Sequence, residues 1–380
     1  MRLAALSSVL MLVLMPSCST LATPGSGDQN LPSSGAGPFQ ALAQTQVEPA
    51  DIAPFVFFAP GKPASEPTVI AGRPDDPSSP SVIVYLVVPG AQGSVVVRTR
   101  ADDGVSFYGD TADAQQDPSH RPPVVLAASL AWEGTDVTGP SALRVGPEIW
   151  LYYAAQGGIG LARSSDGRSF DKTGQPVRAR DPGARWEKTA PRAPSVAVFP
   201  DGSWHMLYAA GASVGEATSV DGLSWRRVDG DPATPALDPV LEPSAPVDPR
   251  GLPPGERPPF DEATVEDPLL VPRVDPTGQL QVRVLYAGYS AAPGDAARAG
   301  EIGFAARYGG SGRLTRQAAP VYVAPGASAA GPALLSRAGG SVLYVSQLDT
   351  GTMPPALALA AAYDPGVGGP PAVGKFAASP

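Results

Sequence analysis

An all-β fold, a five-bladed β-propeller behind a disordered N-terminal tether, is what three features of this chain predict. Glycine and proline are in excess, short apolar runs alternate with turn residues, and one residue pattern recurs five times. The 380 residues include 43 Gly and 46 Pro, about twice the usual share. Both are the poorest residues for a helix interior, so long helices and coiled coils are disfavoured. The glycines keep no three-residue period, which excludes collagen. With 43% hydrophobic and only 17% charged residues, the chain is too apolar to stay unfolded.

The N-terminus reads as an export signal. Arg2 supplies positive charge, and residues 3–15 form an apolar run of h-region length, short of the ~20 residues that span a bilayer. The run ends Met15-Pro16-Ser17-Cys18, and Cys18 is the only cysteine. It resembles the lipobox of bacterial lipoproteins, with Met15 and Pro16 as departures; the resemblance implies that Cys18 is lipidated. Ser19 after it implies the outer membrane or cell surface. The expected organisation is a lipoprotein signal peptide over 1–17, a flexible tether over 18–51 and the propeller over 52–380. The tether expectation rests on a Ser, Gly, Pro, Ala and Gln composition with few aromatic residues. The lipid anchor makes a membrane the first expected partner. Nucleic acid is not expected, because the formal charge is −9 and phosphate neutralisation needs a basic surface.

The repeat gives the fold. Trp132-Glu133, Trp186-Glu187 and Phe260-Asp261 each stand eight residues before a proline that opens an apolar run, at Pro140, Pro194 and Pro268. Weaker copies open at Pro67 and Pro332. After Pro194, residues 195–199 read as a strand, Pro200-Asp201-Gly202 as a turn and 203–209 as the returning strand, since these turn residues supply the backbone angles a hairpin needs. Returning strands carry Leu151-Tyr152-Tyr153-Ala154, Leu207-Tyr208-Ala209-Ala210, Leu285-Tyr286-Ala287-Gly288 and Leu343-Tyr344. Third strands follow at Ile159-Gly160-Leu161-Ala162, Val214-Gly215-Glu216-Ala217 and Ile302-Gly303-Phe304-Ala305. Then come turns at Ser164-Ser165-Asp166-Gly167, Ser219-Val220-Asp221-Gly222 and Asp102-Asp103-Gly104, each followed by a Ser and an aromatic residue expected to plug back into its own unit. Repeats this long made only of strands indicate a propeller. The fifth unit looks one strand short, and residues 55–58 are expected to complete it.

This combination of proline-opened inner strand, Leu-Tyr-Tyr-Ala, Ile-Gly-Leu-Ala and Ser-x-Asp-Gly-x-Ser-Trp resembles the five-bladed propeller glycosidases. These are the arabinanase/β-xylosidase, invertase/levansucrase and mannoside phosphorylase groups. The resemblance covers nearly the whole mature chain and implies an active site in the axial funnel, at the start of each innermost strand. Those positions read Ser65-Glu66, Thr138-Gly139, Arg192-Ala193, Glu266-Asp267 and Ala330-Gly331, with Asp136 slightly upstream. Glycoside hydrolysis needs one protonated and one ionised carboxyl group across the scissile bond. Glu66, Asp136, Glu266 and Asp267 are the carboxylates the repeat offers, and repulsion within Glu266-Asp267 would hold one of them protonated. Arg192 is expected to bind substrate as a bidentate donor.

The departures are plain. Units three and five carry no carboxylate at the expected point, and the invertase group's Asp-Pro-Asn and Glu-Cys motifs are absent. Val265-Glu266-Asp267-Pro268 is similar to the phosphorylase group's Glu-Asp-Pro, but the Arg that follows there is Leu269 here. Arg180-Asp181-Pro182 reads as a loop turn, and the in-step acids 133, 187 and 261 read as structural. The Asp-Gly turns resemble those of sialidases less closely. Two histidines, His120 and His205, are too few for a His-rich metal site or a Ser-His-Asp triad, and His205 reads as a core position. No metal or cofactor is expected. The chain therefore reads as a monomeric envelope lipoprotein whose funnel binds carbohydrate, with hydrolysis open; the alternative is a non-catalytic scaffold for protein contacts. Metabolic labelling with a palmitate analogue tests the anchor: the intact protein should be labelled and Cys18→Ala should not.

Overall fold

The computed structural model describes residues 39–41, 64–72, 82–101, 107–109, 123–274, 277–290, 299–324, 326–337, 340–349 and 357–363. Strands dominate, and the only helical turn among them is the 3₁₀ segment Pro249–Gly251. The strands form five antiparallel sheets. Blade I runs Ser65–Ala71, Val82–Pro89, Ser94–Ala101 and Phe107–Gly109, with Val124–Leu126 added on the third strand. Blade II runs Thr138–Val145, Glu148–Ala155, Gly158–Ser164 and Asp171–Lys172, with Arg178–Ala179 also on its third strand. Blade III is Arg192–Val198, Trp204–Ala210, Ser213–Ser219 and Arg226–Val228. Blade IV is Thr264–Val274, Leu280–Tyr289, Gly300–Tyr308 and Thr315–Arg316. Blade V is Ala327–Arg337, Gly340–Asp349, Leu357–Tyr363 and, from the other end of the chain, Gln40–Ala41.

Each innermost strand packs against the next, and that of blade V packs against that of blade I, so the ring is closed. Blade V is completed by Gln40–Ala41, with Gln40 opposite Tyr363. The expected closing segment, 55–58, lies outside the described residues. The observed closing strand instead falls inside the stretch read as tether. Its neighbour Phe39 is buried among Tyr289, Ile302 and Leu343 and donates its amide to the Val321 carbonyl at 2.8 Å, which fixes the N-terminal strand at the seam between blades IV and V.

The middle strands form the core, because they are covered on both faces by neighbouring blades. Trp204–Ala210 is buried at every position, and Tyr85, Tyr152, Tyr208, Tyr286 and Tyr344 are all fully enclosed. The aromatic-acidic pairs explain how the phenol ends are tolerated. Trp132 stacks on Tyr153, Trp186 on Tyr208 and Phe260 on Tyr286, each with centroids 6.0 Å apart. The acid beside each aromatic residue accepts a hydrogen bond from the phenol: Tyr153 donates to Glu133 at 2.6 Å, and Tyr208 to Glu187 and Tyr286 to Asp261 at 2.8 Å. A cation then meets each acid, Lys172 and Arg316 at 2.7 Å and Arg178 at 2.6 Å. Burial alone would raise the Glu133 carboxyl, but Lys172, the Ser129 amide and Tyr153 bring it below its ordinary value. These acids hold the blades together, as their recurrence indicated.

The Asp-Gly turns link blades. Asp166 accepts the amides of Arg168 and Ser169 at 2.8 and 2.9 Å, and those amides hold its carboxyl down at about 2. Asp221 does the same with Leu223 and Ser224. Tyr85 of blade I donates to the Gly167 carbonyl of blade II, and Tyr152 of blade II to Gly222 of blade III. Phe170 and Trp225 pack edge-on against these same tyrosines. The turn aromatics therefore dock on the preceding blade, not only into their own unit, because the tyrosine that reaches the turn belongs to that blade. Residues 102–106 of the third copy are outside the described set.

His205 is buried, as expected of a core position: its Nδ1 lies 2.7 Å from Glu216, and its ring meets Phe199 edge-on at 4.1 Å. Asp181 of Arg180-Asp181-Pro182 sits in a loop, as read, and pairs with Arg227. His120 is outside the described residues. Glu187→Ala should destabilise the protein by roughly 3–5 kcal/mol, since Arg178 and Tyr208 would be left buried without their acid; chemical denaturation of both proteins measures it.

Candidate active site

Every innermost strand breaks register with its partner at the same place, just where its proline stands. The shifts fall between Ser65 and Thr68, Thr138 and Ser141, Arg192 and Ser195, Glu266 and Leu269, and Ala330 and Ala333. The residue before each proline has left-handed backbone: Glu66 (φ 50°), Gly139 (53°), Ala193 (46°), Asp267 (49°) and Gly331 (54°). Glu66, Ala193 and Asp267 are the only non-glycine residues with positive φ among those described. That conformation costs an L-residue roughly 1–2 kcal/mol, and such strain concentrates at functional sites.

The bulges turn these residues towards the axis. With the five prolines they line a small open pocket of about 40 Å³, room for about one water molecule and not for a sugar ring. Glu66 Oε2 accepts the amide of Gly139 in the next blade, and Asp267 Oδ2 accepts that of Gly331 in its next blade at 3.1 Å. One step earlier along the strands, Arg192 pairs with Glu266 across blades III and IV at 2.5 Å. The Arg192 side chain is 36% exposed and that of Glu266 13%, so this pair forms the more open part of the site.

The electrostatics of the four residues are shared. Burial above all raises the Asp267 carboxyl to about 7, with Glu266 and Glu66 adding to the rise against the opposing pull of Arg192 and the Gly331 amide. Burial and Glu266 also raise Glu66, partly offset by Gly139 and Arg192. A carboxyl titrating near neutrality beside an arginine-paired carboxylate is the kind of pair that proton transfer at a leaving oxygen uses.

Of the sequence-selected residues, the structure brings together Glu66, Arg192, Glu266 and Asp267. Asp136 is not with them. It is exposed and accepts the Ser94 amide and the Thr135 hydroxyl, both at 2.8 Å, and the Ser94 amide holds its carboxyl below the usual range. It caps the junction of blades I and II, because the two residues separating it from the bulge place it beyond the axial ring. Cys18 lies outside the described residues, which hold no cluster of three potential metal ligands.

Sequence reasoning missed Ser346. Its hydroxyl accepts the amide of Glu66 at 2.8 Å, securing the strained residue from blade V. The signal was present: Ser346 occupies the position held by Val87, Ala154, Ala209 and Ala287 in the other middle strands. The hydroxyls after the prolines also went unassigned. Thr68, Ser141 and Ser195 accept the amides of Ala142, Val196 and Leu270, each from the next blade.

No protein-family model matches the chain, and no curated protein does. Solved structures share its fold at low identity. One solved as an RGII complex is 16% identical, with a TM-score of 0.58 over 89% of this chain and 94% of its own. A thermostable family-43 glycoside hydrolase is 14% identical, with a TM-score of 0.52 over 81% and 90%. An exo-1,5-α-L-arabinanase from a bovine ruminal metagenomic library is 11% identical, with a TM-score of 0.50 over 80% and 94%.

The raised carboxyl predicts a pH-dependent stability. An unfolded Asp releases its proton near 3.9, whereas folded Asp267 keeps it to about 7. Between those values the native state binds more protons than the unfolded chain, so stability should fall as pH rises. Asp267→Asn, which keeps an acceptor for Gly331, should flatten that decline by up to about 1 kcal/mol per pH unit, measured by denaturation at pH 4, 6 and 8.

Proposed function

We propose that this protein is a carbohydrate-acting propeller of glycosidase type, presented as a lipoprotein of the cell envelope with Cys18 as its anchor. The observation that carries the reading is the axial set: Asp267 raised to about 7 beside Glu266, with Arg192 on Glu266. The propeller glycoside hydrolases that share the fold support it. The open axial pocket is too small to hold a sugar, so the saccharide rests above it against Arg192 and presents its glycosidic oxygen downward.

In this reading Asp267 is the proton donor. Its Oδ2 is engaged by Gly331, which leaves Oδ1 to carry the proton towards the leaving oxygen. Glu266, paired with Arg192, is the ionised group that faces the developing positive charge or activates water. Glu66, held by Gly139 and Ser346, lines the floor and adds to the rise of Asp267 that burial and Glu266 chiefly cause. Asp136 has no part in this scheme.

A second reading, a non-catalytic scaffold for protein contacts in the envelope, is favoured by a specific observation. The carboxylates of Glu66 and Asp267 each bind the backbone of the next blade, as a purely structural residue would. One assay separates the two. Wild type should cleave some member of a panel of aryl and natural pentosides and hexosides, and Asp267→Asn should lower kcat by about 10²–10⁴-fold, more on natural than on activated aryl substrates. Arg192→Ala should chiefly raise KM. Turnover unchanged in Asp267→Asn removes it from the mechanism, and no turnover across the panel favours the scaffold.

A further inference from the structure

A groove of about 680 Å³ runs along the outer flank of blade II, lined in part by Glu148, Arg163, Ser165, Ser169 and Asp171, with Leu223 of blade III closing one side. It lies away from the funnel. The third strand of a blade runs parallel to the first, so its end at Ser164 and the following turn are opposite the bulges at which the innermost strands begin. Its volume falls within the ~300–1,000 Å³ typical of small-molecule sites.

The chemistry of the lining selects a ligand class. The Arg163 guanidinium carbon lies over the Trp150 ring, 4.0 Å from its centroid, and Trp150 in turn packs on Trp204 at 5.2 Å. No carboxylate of the described residues pairs with Arg163, although Asp171 stands opposite it across the strands, and its buried Nε has no hydrogen-bond partner. The cation–π contact therefore positions a guanidinium whose donors are unused. Glu148 supplies acceptors from one wall, with one oxygen taken by the Trp150 indole at 2.9 Å, and Asp171 supplies them from the other. Ser165 and Ser169 add hydroxyls, which both donate and accept.

Anions are disfavoured, because the carboxylates of Glu148, Asp166 and Asp171 line the same groove and Lys172 is already neutralised by Glu133. A metal cation is disfavoured because these carboxylates stand apart: no three of them come together as ligands among the described residues. Alternating donors and acceptors on a fixed frame suit a neutral polyol. We infer that this groove is a second saccharide-binding site, taking a short stretch of neutral glycan on the side of the molecule away from the funnel. It shares a ligand class with the axial reading but none of its residues.

Titration of the ¹⁵N-labelled protein with arabino-, xylo-, cello- and maltohexaose tests it, read on the Trp150 indole N–H and the Ser165 and Ser169 amides. At least one hexasaccharide should shift these resonances with a Kd of about 1 mM or tighter. Glu266→Gln should leave that titration unchanged. Ser165→Trp, which fills the exposed lip, should abolish it, and Asp171→Ala should weaken it about tenfold, with the remaining spectrum unaltered in both. Shifts that survive Ser165→Trp but vanish in Glu266→Gln place the sugar in the funnel and overturn the groove. The absence of any shift at about 10 mM overturns it as well. Failure of the glycosidase assay leaves this result untouched, since neither Glu266 nor Asp267 lines the groove.

Discussion

The five bulges on the ring axis are the constraint on which the molecule depends. Twisted blades can share an axis only if their innermost strands approach closely, and here each does so by turning one residue left-handed before a proline. Where a neighbouring backbone passes, the residue is glycine. A Cβ on Gly139 would stand 2.9 Å from the Ala193 Cα, and one on Gly331 would stand 3.2 Å from the Glu66 Cα. Glu66 and Asp267 accept the strained conformation instead, and so two carboxyl groups enter the centre of the ring. The local backbone device that closes the fold is thus also what concentrates charge where water is scarce, and burial then shifts the titration of those groups.

The seams between blades show a second economy. Burying a carboxylate is costly unless it is both paired and hydrogen-bonded, and each of the three acid-aromatic pairs meets that condition with a stacked ring, a phenol and a cation: Lys172 and Arg316 come from the fourth strand of the same blade, and Arg178 from the blade before. The tyrosines of blades I and II use their hydroxyls differently, reaching the carbonyl of the next blade's Asp-Gly turn. Tyrosines at two successive positions of the middle strand therefore divide the work, as Tyr152 and Tyr153 show in blade II: the first ties the blade to the next and the second satisfies an acid of its own blade.

Much of this was legible in the residues. Proline lacks an amide hydrogen and restricts the residue before it, so five prolines in phase disclosed the inner strands and the residues that face the axis. The Trp132-Glu133 pattern disclosed its structural role by recurring. What stayed hidden needed the third dimension. Asp136 is only two residues from the inner strand, yet a period-based reading cannot tell a funnel position from a cap on Ser94. Phe170 follows its turn closely in sequence, but the tyrosine it packs on comes from another blade. Gln40–Ala41 is two residues long and carries no alternation, and only the unpaired edge of Leu357–Tyr363 selects it. Ser346 could have been found by asking which middle strand breaks the run of small apolar residues.

The closing strand sets the order of events when the chain is made. Its partner in blade V is made only after the other four blades, so the N-terminal segment must wait for it. Blades II, III and IV can pair their own strands as soon as each is complete, because their hydrogen bonds are local. The ring itself cannot be sealed until blade V has been made, and contacts of such long range are slow to form. Until then, blade V presents an open strand edge, which can accept a strand from another molecule as readily as its own. A shortened N-terminus would therefore produce, not a ring lacking an ornament, but one with a permanent adhesive edge.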